Sequence, residues 1–244
     1  MIYNLFKKID EKIFNKYFKK KYHNLKYAKV IKKKLDSLNF QLKTSEKKIL
    51  LLSDLIKASP AEGDIVECGV GNGFSLAVIS KISKKKIYAF DSFEGFPSEI
   101  SDKEDKNLSK ILTYSKWNYK MMTIDLVKKN LIENGISEND LDKRIIFKKG
   151  FFPKSFIGFN SPISFLHLDV DLYNSYKDCL EFFYPKLIKG GIVTFDEYLI
   201  DNIKAQRKGY SFKGAKVAID EFVEKNNLKL DTHYTGYKYI AKLA

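Results

Sequence analysis

Apolar residues along the chain fall into two kinds of run, which predict two kinds of element. Short continuous runs rich in β-branched residues, bounded by glycine, proline or charged residues, predict buried strands. Longer segments with apolar residues three and four positions apart predict helices that bury one face. The predicted strands cover residues 64–70, 86–90, 144–152, 163–170 and 192–195, and the predicted helices cover residues 75–81, 117–134, 174–187 and 214–226.

This alternation predicts an α/β fold, in which a doubly wound and mostly parallel sheet is covered by helices on both faces. Another helix, starting near Glu46 and ending before Pro60, precedes the first strand. Residues 228–234 and 237–243 form a closing hairpin, which makes seven strands with the last one antiparallel to its neighbour. Such a sheet binds ligands beyond the carboxyl ends of its strands.

The first 38 residues carry apolar residues at helical spacing with lysines between them. They predict a basic helical arm, residues 1–43, ahead of a catalytic domain at residues 44–244. Twelve lysines lie within residues 1–34, so most of the net charge of +14 belongs to this arm and a protein-wide nucleic-acid surface is not indicated. The arm either binds an anionic membrane surface or a partner subunit, or packs on its own domain or a dimer mate.

Composition narrows the setting in which the protein works. No apolar run approaches the roughly 20 residues that span a membrane, and the N-terminus lacks the apolar core of a signal peptide. The two cysteines, Cys68 and Cys179, fall in predicted buried elements and do not form a metal-type cluster. A reduced cytoplasmic protein, peripheral at the inner membrane surface if the arm binds lipid, is the prediction.

The first strand runs into a glycine-rich turn, which predicts a ligand site. Gly69, Gly71 and Gly73 follow the strand and precede a helix, and Asp91 ends the second strand 20 residues after Gly71. An acid at that distance is placed to accept hydrogen bonds from ribose hydroxyls. Dinucleotides and S-adenosylmethionine both fit, and Glu67 favours the second, because an anion discourages a pyrophosphate and suits an ammonium and a sulfonium. The alternative is a turn whose glycines serve packing only.

The next two predicted strands end in acids. In the fourth, residues 163–170, Asp169 and Asp171 lie on the same face at the end of the strand, and in the fifth Asp196 and Glu197 follow residues 192–195. Carboxylates converging there repel one another without a cation, and their hard oxygen ligands suit Mg²⁺ best, with Ca²⁺ or Mn²⁺ next. A metal there lowers the pKa of an acceptor hydroxyl, whose proton a nearby carboxylate takes. Alternatively, some acids cap helices, as Asp171 does for the helix near residue 174, and His167 is either a second base or a structural residue.

The motifs that carry this chemistry also carry a family resemblance. The chain resembles the macrocin O-methyltransferase group, the TylF/MycF-type enzymes, which are metal-dependent methyltransferases of the class I Rossmann-like fold. The matching pieces run from residue 62 to residue 223 in the family's order: GDIVECGVGNGFS, AFDSFEGFP, KKGFFPKSF, HLDVDLYNSYKDCLEFFYPKLIKGGIVTFDEY and GAKVAIDEF.

The resemblance assigns roles to residues. It implies a metal held by Asp169, Asp196 and Glu197, with Glu197 standing where relatives usually have a second aspartate. It implies Asp169 as the general base, with His167 kept as a second catalytic candidate. The predicted residues for binding S-adenosylmethionine are Glu67, Gly69, Gly71, Gly73, Ser75, Asp91, Ser92, Phe93, Gly150, Phe151 and Asp169.

The acceptor that the resemblance implies is a sugar hydroxyl, on a nucleotide-linked sugar or a growing surface glycan, and a homo-oligomer is the expected assembly. The basic loop at residues 199–213 suits a phosphate-bearing acceptor, or is simply solvated. Residues 98–116 predict a mobile loop or lid near the ligand. The alternatives are a methyltransferase acting on RNA or another polyanion, which the acidic cluster opposes, and a homologue that binds S-adenosylmethionine without catalysis.

Overall fold

The computed structural model describes residues 46–97, 100, 102–105, 122–199 and 213–243. The strands within these ranges are β1 (Asp64–Cys68), β2 (Ile87–Asp91), β3 (Ile145–Lys149), β4 (Ile163–Leu168), β5 (Leu187–Leu199), β6 (Asp231–Thr232) and β7 (Tyr237–Ala241). The α-helices are α1 (Glu46–Ala58), α2 (Phe74–Ile82), α3 (Ile124–Glu133), α4 (Glu138–Arg144), α5 (Tyr173–Phe183) and α6 (Lys213–Lys225).

The seven strands form one sheet in the order β3-β2-β1-β4-β5-β7-β6. The first five strands along this order pair in parallel, and β7 is antiparallel to both β5 and β6. This arrangement confirms the predicted doubly wound sheet with an antiparallel last strand. The chain runs outward in both directions from β1 and β4, so the crevice beyond the carboxyl ends of these two strands is the natural ligand site.

The core explains why the central strands are continuously apolar. All six residues of β4 are buried, as are four of the five in β1. On one face α1 packs against α2, and elsewhere α5 packs against α6. Phe90 from β2 lies in an aromatic cluster with Phe156 and Phe183, with edge-on ring contacts of 5.9 and 5.1 Å between centroids. Truncating such a ring to alanine typically costs about 3–5 kcal/mol.

Several element boundaries differ from the predictions for local reasons. The helix predicted at residues 117–134 begins at Ile124, because the Thr123 side chain accepts the N–H of Leu126 as a cap at 3.3 Å. The strand predicted at residues 144–152 ends at Lys149, since Gly150 turns the chain with φ 141°. The strand predicted at residues 163–170 ends at Leu168, so the acids beyond it lie on a turn rather than on one face of a strand.

Other differences concern whole elements. Helix α4 was absent from the prediction, although Ser137 caps it by accepting the N–H of Asp140 at 3.1 Å. Strand β5 starts at Leu187 rather than at residue 192, and Gly190, predicted to end a helix, lies in an irregular stretch of that strand with φ 77°. The helix predicted to reach residue 187 ends at Phe183, where a 3₁₀ turn containing Pro185 takes over. Strand β6 keeps only two of its seven predicted residues.

Parts of the sequence predictions lie outside the described residues. These are the arm at residues 1–43, most of the lid at residues 98–116 and most of the basic loop at residues 199–213. Their contacts with membrane, subunit or substrate stay predictions. Among the helices that the structure describes, none is both long enough and apolar enough to cross a membrane.

Candidate active site

The glycine turn after β1 has three glycines with positive φ, at 83° for Gly69, 52° for Gly71 and 84° for Gly73. A side-chain carbon on Gly69 would lie 1.8 Å from the backbone oxygen of Asp169, and one on Gly73 would lie 2.8 Å from Val127 Cγ1. At Gly71 such a carbon meets no atom within 4 Å. Two glycines therefore allow close packing, and Gly71 is the one that leaves room for a ligand.

Asp91 ends β2 and lies directly against this turn. One carboxylate oxygen accepts the N–H groups of Val70 and Gly71 at 2.7 and 3.1 Å, and the other accepts the N–H of Phe93 at 2.8 Å. A ribose hydroxyl would join or replace these bonds. The Ser92 hydroxyl donates to the Gly95 carbonyl at 2.6 Å, and the Phe93 ring is buried against Phe147. Ser92 and the Phe93 side chain thus shape the loop that carries Asp91.

Glu67 is a fully buried carboxylate in the middle of the sheet. Neither of its oxygens has a hydrogen-bond donor of ordinary geometry among the residues that the structure describes. Burial raises the pKa of Glu67 to about 8, against the opposing effects of the nearby Ser75 hydroxyl and the Lys48 charge. A buried carboxylate without a donor suits a ligand that brings a positive charge, as the ammonium of S-adenosylmethionine does.

Two further predicted cofactor residues follow β3. The Gly150 N–H donates to the Asp91 carbonyl at 2.9 Å, which holds this turn beside the Asp91 loop. Phe151 is 40% exposed, so part of its apolar side chain is open to a ligand. These positions place a backbone and an aromatic face along the same edge of the sheet as the glycine turn.

The acids that follow β4 and those near the end of β5 do converge, but in two overlapping groups. One group combines His167, Asp169 and Asp196, and the other combines Asp169, Asp171 and Glu197. Within each group one potential ligand atom per residue lies within 4.8 Å of the others. Asp169 is common to both, whereas Asp196 and Glu197, adjacent in β5, fall in different groups because side chains alternate along a strand.

A lysine that the sequence predictions did not single out lies in the first group. Lys48 Nζ is 2.5 Å from Asp169 Oδ2 and 3.0 Å from Asp196 Oδ1. Burial lowers the pKa of Lys48, but the two carboxylates outweigh it and hold that pKa well above its usual value. Burial raises the pKa of Asp169, yet Lys48 and His167 outweigh it and leave that pKa below its usual value. Burial and the Asp169 charge raise the pKa of Asp196 to about 6.

Lys48 had a signal in the sequence. It stands three, four and seven residues before Leu51, Leu52 and Leu55, all of them buried. A lysine on the apolar stripe of a helix is buried only when a partner compensates its charge. The stripe therefore marks Lys48 as a side chain with a buried acidic partner, although it does not say which acid.

His167 is fully buried in β4. Its Nδ1 lies 2.9 Å from the Thr194 hydroxyl, and its Nε2 has no partner among the described residues. Burial, helped by the Lys48 charge, lowers the pKa of His167 to about 3, so the ring is neutral at pH 7. By comparison, the Asp169 side chain keeps 25% of its surface exposed. Of these two predicted catalytic residues, Asp169 is the one that an acceptor can reach.

The second group is tied to α5 through Tyr176. The Tyr176 hydroxyl donates to Glu197 and lies 2.9 Å from the Leu168 carbonyl. Burial and the neighbouring acids raise the pKa of Glu197 well above its usual value. Glu197 has one methylene more than the aspartate usual in relatives. The hydrogen bond from Tyr176 holds this longer side chain in a defined position.

The start of α5 is capped from the predicted lid rather than by Asp171. Asp171 adopts φ 60° and lies in the second acidic group, whereas the N–H of Tyr173 donates to Asp105 Oδ2 at 2.6 Å. Asp105 is fully buried and packs against Gly214 at the start of α6. The alternative that Asp171 caps this helix is therefore wrong, and residues 102–105 are anchored at two helix starts.

Comparisons with known proteins agree with this fold. The family model of macrocin-O-methyltransferase (TylF) matches residues 46–231. The solved O-methyltransferase NovP shares 22% identity with a TM-score of 0.66, over 82% of this chain and 81% of its own. The calicheamicin methyltransferase CalS11 shares 20% identity with a TM-score of 0.59, over 89% of this chain and 93% of its own. No curated protein matches the sequence significantly.

A doubly wound sheet with a glycine turn after its first strand, an acid ending the second strand and a buried carboxylate fits the class of S-adenosylmethionine-dependent methyltransferases. The family match extends over most of the chain, so the chain belongs to the macrocin-O-methyltransferase (TylF) family. It is an S-adenosylmethionine-dependent O-methyltransferase, as the sequence predicted.

Proposed function

We propose that this enzyme methylates a hydroxyl group of a sugar, carried on a nucleotide or on a growing surface glycan. One observation supports this most: the acidic cluster and the glycine turn are in direct backbone contact. The Asp169 N–H donates to the Cys68 carbonyl at 2.9 Å, and Gly69 packs against the Asp169 carbonyl. A methyl donor bound at the turn and an acceptor hydroxyl among the acids would share one crevice.

Asp169 is the proposed general base. It lies at the junction of both acidic groups and keeps an exposed edge. Its low pKa means that it is ionised at neutral pH and can accept a proton from the acceptor hydroxyl. Lys48 and the Gly69 contact hold its side chain and backbone, so the accepting oxygen has a fixed position relative to the turn.

The donor set fits a divalent cation. Each acidic group offers carboxylate oxygens within 4.8 Å of one another, joined in the first group by a ring nitrogen of His167, and burial makes the uncompensated carboxylates unfavourable. The family resemblance supports Asp169, Asp196 and Glu197 as the residues that hold the ion, with Mg²⁺ the first choice; of these, Asp169 and Asp196 share the first group and Asp169 and Glu197 share the second. When bound, the ion lowers the pKa of the acceptor hydroxyl.

The sugar acceptor rests on the family to which the chain belongs, whose model is named for macrocin. A phosphate-bearing acceptor rests on the basic residues of the loop at residues 199–213. A cytoplasmic location fits this acceptor and the two buried free cysteines. A glycan assembled at the inner membrane surface would also give the basic arm at residues 1–38 a role.

The test is methyl transfer from S-adenosylmethionine to a panel of nucleotide-linked sugars, with Mg²⁺ and with EDTA. Turnover of one sugar that EDTA abolishes and Mg²⁺ restores is the expected result. Turnover that is indifferent to EDTA contradicts the metal. Tight binding of S-adenosylmethionine without transfer to any sugar contradicts a nucleotide-linked acceptor and directs the search to lipid-linked glycans, and then to RNA.

A further inference from the structure

Lys48 differs from the other charged residues of the site because it is distant in sequence from the acids that it contacts. It lies at the start of α1, 121 residues before Asp169, and its side chain is 11% exposed. A lysine ammonium is rarely buried unless it is paired. Here it is paired twice, with one oxygen of Asp169 and one of Asp196.

The two carboxylates that bind Lys48 are also those that the first acidic group offers to a metal. His167, fully buried and with Nε2 unpartnered among the described residues, contributes a ring nitrogen to the same group. A divalent ion contacts its oxygen ligands at about 2.0–2.6 Å. An ion on Asp169 and Asp196 would therefore be close to the ammonium, with both cations drawing on the same two carboxylates.

We propose that Lys48 is a built-in cation that competes with the divalent metal for Asp169 and Asp196, and so sets the metal affinity of the site. This inference rests on the proposed function, since it takes the acidic cluster to be the metal site. Like charges that share ligands weaken each other's binding, and this coupling is reciprocal. The ammonium keeps the carboxylates compensated before the metal enters, and it gives way when the metal enters.

The competition has a consequence for the order of events. With Lys48 in place the cluster folds without metal, and a weakly held ion fills it at a concentration that Lys48 determines. An acceptor that brings its own hydroxyl oxygens would add ligands and favour the ion over the ammonium. Metal binding would then depend on the acceptor, and the enzyme without acceptor would bind little metal.

The test measures Mn²⁺ binding directly, by electron paramagnetic resonance and calorimetry, on the full chain without acceptor. Lys48→Met removes the charge and keeps most of the side-chain length, and should tighten Mn²⁺ binding by at least about tenfold. Lys48→Arg keeps the charge and should stay near the wild-type Kd. Lys57→Met is the matched control, since Lys57 is exposed on the same helix, and should change nothing.

Each outcome separates this inference from the proposed function. Equal or weaker Mn²⁺ binding by Lys48→Met, with clear binding by the wild type, overturns the competition and leaves the metal site standing. If neither protein binds Mn²⁺ although both bind S-adenosylmethionine, the metal part of the proposed function fails and the competition fails with it.

A second measurement needs no variant, in case Lys48→Met does not fold. Crystals of the wild-type protein soaked in MnCl₂ should show the ion by anomalous scattering, with Lys48 Nζ moved beyond salt-bridge distance of at least one of Asp169 and Asp196. An ion on Asp169, Asp171 and Glu197 with Lys48 unmoved overturns the inference.

Discussion

The active-site crevice has two halves: the cofactor half, formed by the glycine turn and Asp91, and the acidic half, formed around Asp169 and Asp196. Different groups compensate the negative charges of each half. On the cofactor half, Asp91 is satisfied by three backbone N–H groups, two from the glycine turn and one from Phe93, close to it in the fold. On the acidic half, the cation that pairs with both Asp169 and Asp196 among the described residues is Lys48, on a helix before the first strand. Backbone groups compensate the first half, and a side chain from elsewhere compensates the second.

This difference shows where the site is firm and where it can change. Backbone N–H groups stay in place as long as the fold does, so the cofactor half is preorganised. Within the part of the chain that the structure describes, the acidic half has more carboxylates than Lys48 can offset, so it should respond to cations and protons. The halves meet where Gly69 packs on the Asp169 carbonyl, and variants can be chosen to disturb either half or the contact between them.

The largest effect is expected at that contact. Gly69→Ala would place a methyl group 1.8 Å from the Asp169 backbone oxygen, at a φ of 83° that alanine disfavours. Neither backbone can give way without moving a central strand, so we expect a loss of about 4 kcal/mol or more in the free energy of unfolding. Urea denaturation measures it, and both S-adenosylmethionine binding and turnover should disappear together.

Gly71→Ala is the matched control for this prediction. It has a positive φ of 52° but meets no atom within 4 Å, so only the backbone strain remains, about 1 kcal/mol. If the two variants were equally destabilised, the Gly69 contact would not be what joins the halves.

The next effect separates the halves. Asp196→Ala removes an acid of the first group but leaves the glycine turn and Asp91 untouched. We expect kcat to fall by at least about 100-fold, because Asp196 is proposed to hold the ion that lowers the pKa of the acceptor hydroxyl. The Kd for S-adenosylmethionine, measured by calorimetry, should stay close to the wild-type value.

Asp142→Ala, at an exposed aspartate on α4, controls for the loss of one negative charge and should leave kcat unchanged. Normal turnover by Asp196→Ala would show that the first acidic group is not needed for methyl transfer.

The same contrast explains what the sequence could predict. The cofactor half is local: a strand, three glycines and an acid 20 residues on, a pattern that the structure places as expected around Asp91. The convergence of Asp169 and Asp196 followed from the rule that parallel strands present their carboxyl ends at one edge. The split between Asp196 and Glu197 was missed, because strand β5 was taken to end before them when it continues to Leu199.

Lys48 and Asp105 were out of reach for another reason. Each is a single charged residue that acts far from its neighbours in sequence, Lys48 on Asp169 and Asp105 on the N–H of Tyr173. No spacing rule links positions 48 and 169, since the intervening chain builds four strands and several helices before it returns. The apolar stripe of α1 shows that Lys48 is buried, and only the tertiary fold shows its partners.

A third prediction concerns Glu67, whose pKa is affected by charges in both halves, Asp91 in one and Lys48 and Asp169 in the other. Its folded pKa is about 8, and an unfolded glutamate titrates near pH 4.3. The stabilisation from the bound proton is full below pH 4.3 and is lost as the pH rises through 8. Between pH 6 and 7.5 the free energy of unfolding should fall by about 2 kcal/mol, at roughly 1.4 kcal/mol per pH unit.

Glu67→Gln is the control, because the amide resembles the protonated acid and does not titrate. The wild-type protein and Glu67→Gln should therefore diverge steadily over this range in urea unfolding without S-adenosylmethionine. A difference between them that stays constant with pH would mean that Glu67 is already ionised in the folded protein.

The smallest effect concerns the firm half itself. Asp91→Asn keeps the shape and one accepting oxygen, but it removes the charge and the acceptor pair that the ribose would use. The Kd for S-adenosylmethionine should rise by about tenfold, which corresponds to about 1.4 kcal/mol, near the value of a hydrogen bond to a charged group. At saturating S-adenosylmethionine kcat should recover, since the acids proposed to act on the acceptor lie on the other half. The two variants would then have opposite effects: Asp91→Asn would weaken S-adenosylmethionine binding and leave kcat, whereas Asp196→Ala would lower kcat and leave that binding. A variant at Asp91 that lost rate at saturation would show that the two halves are coupled through more than the Gly69 contact.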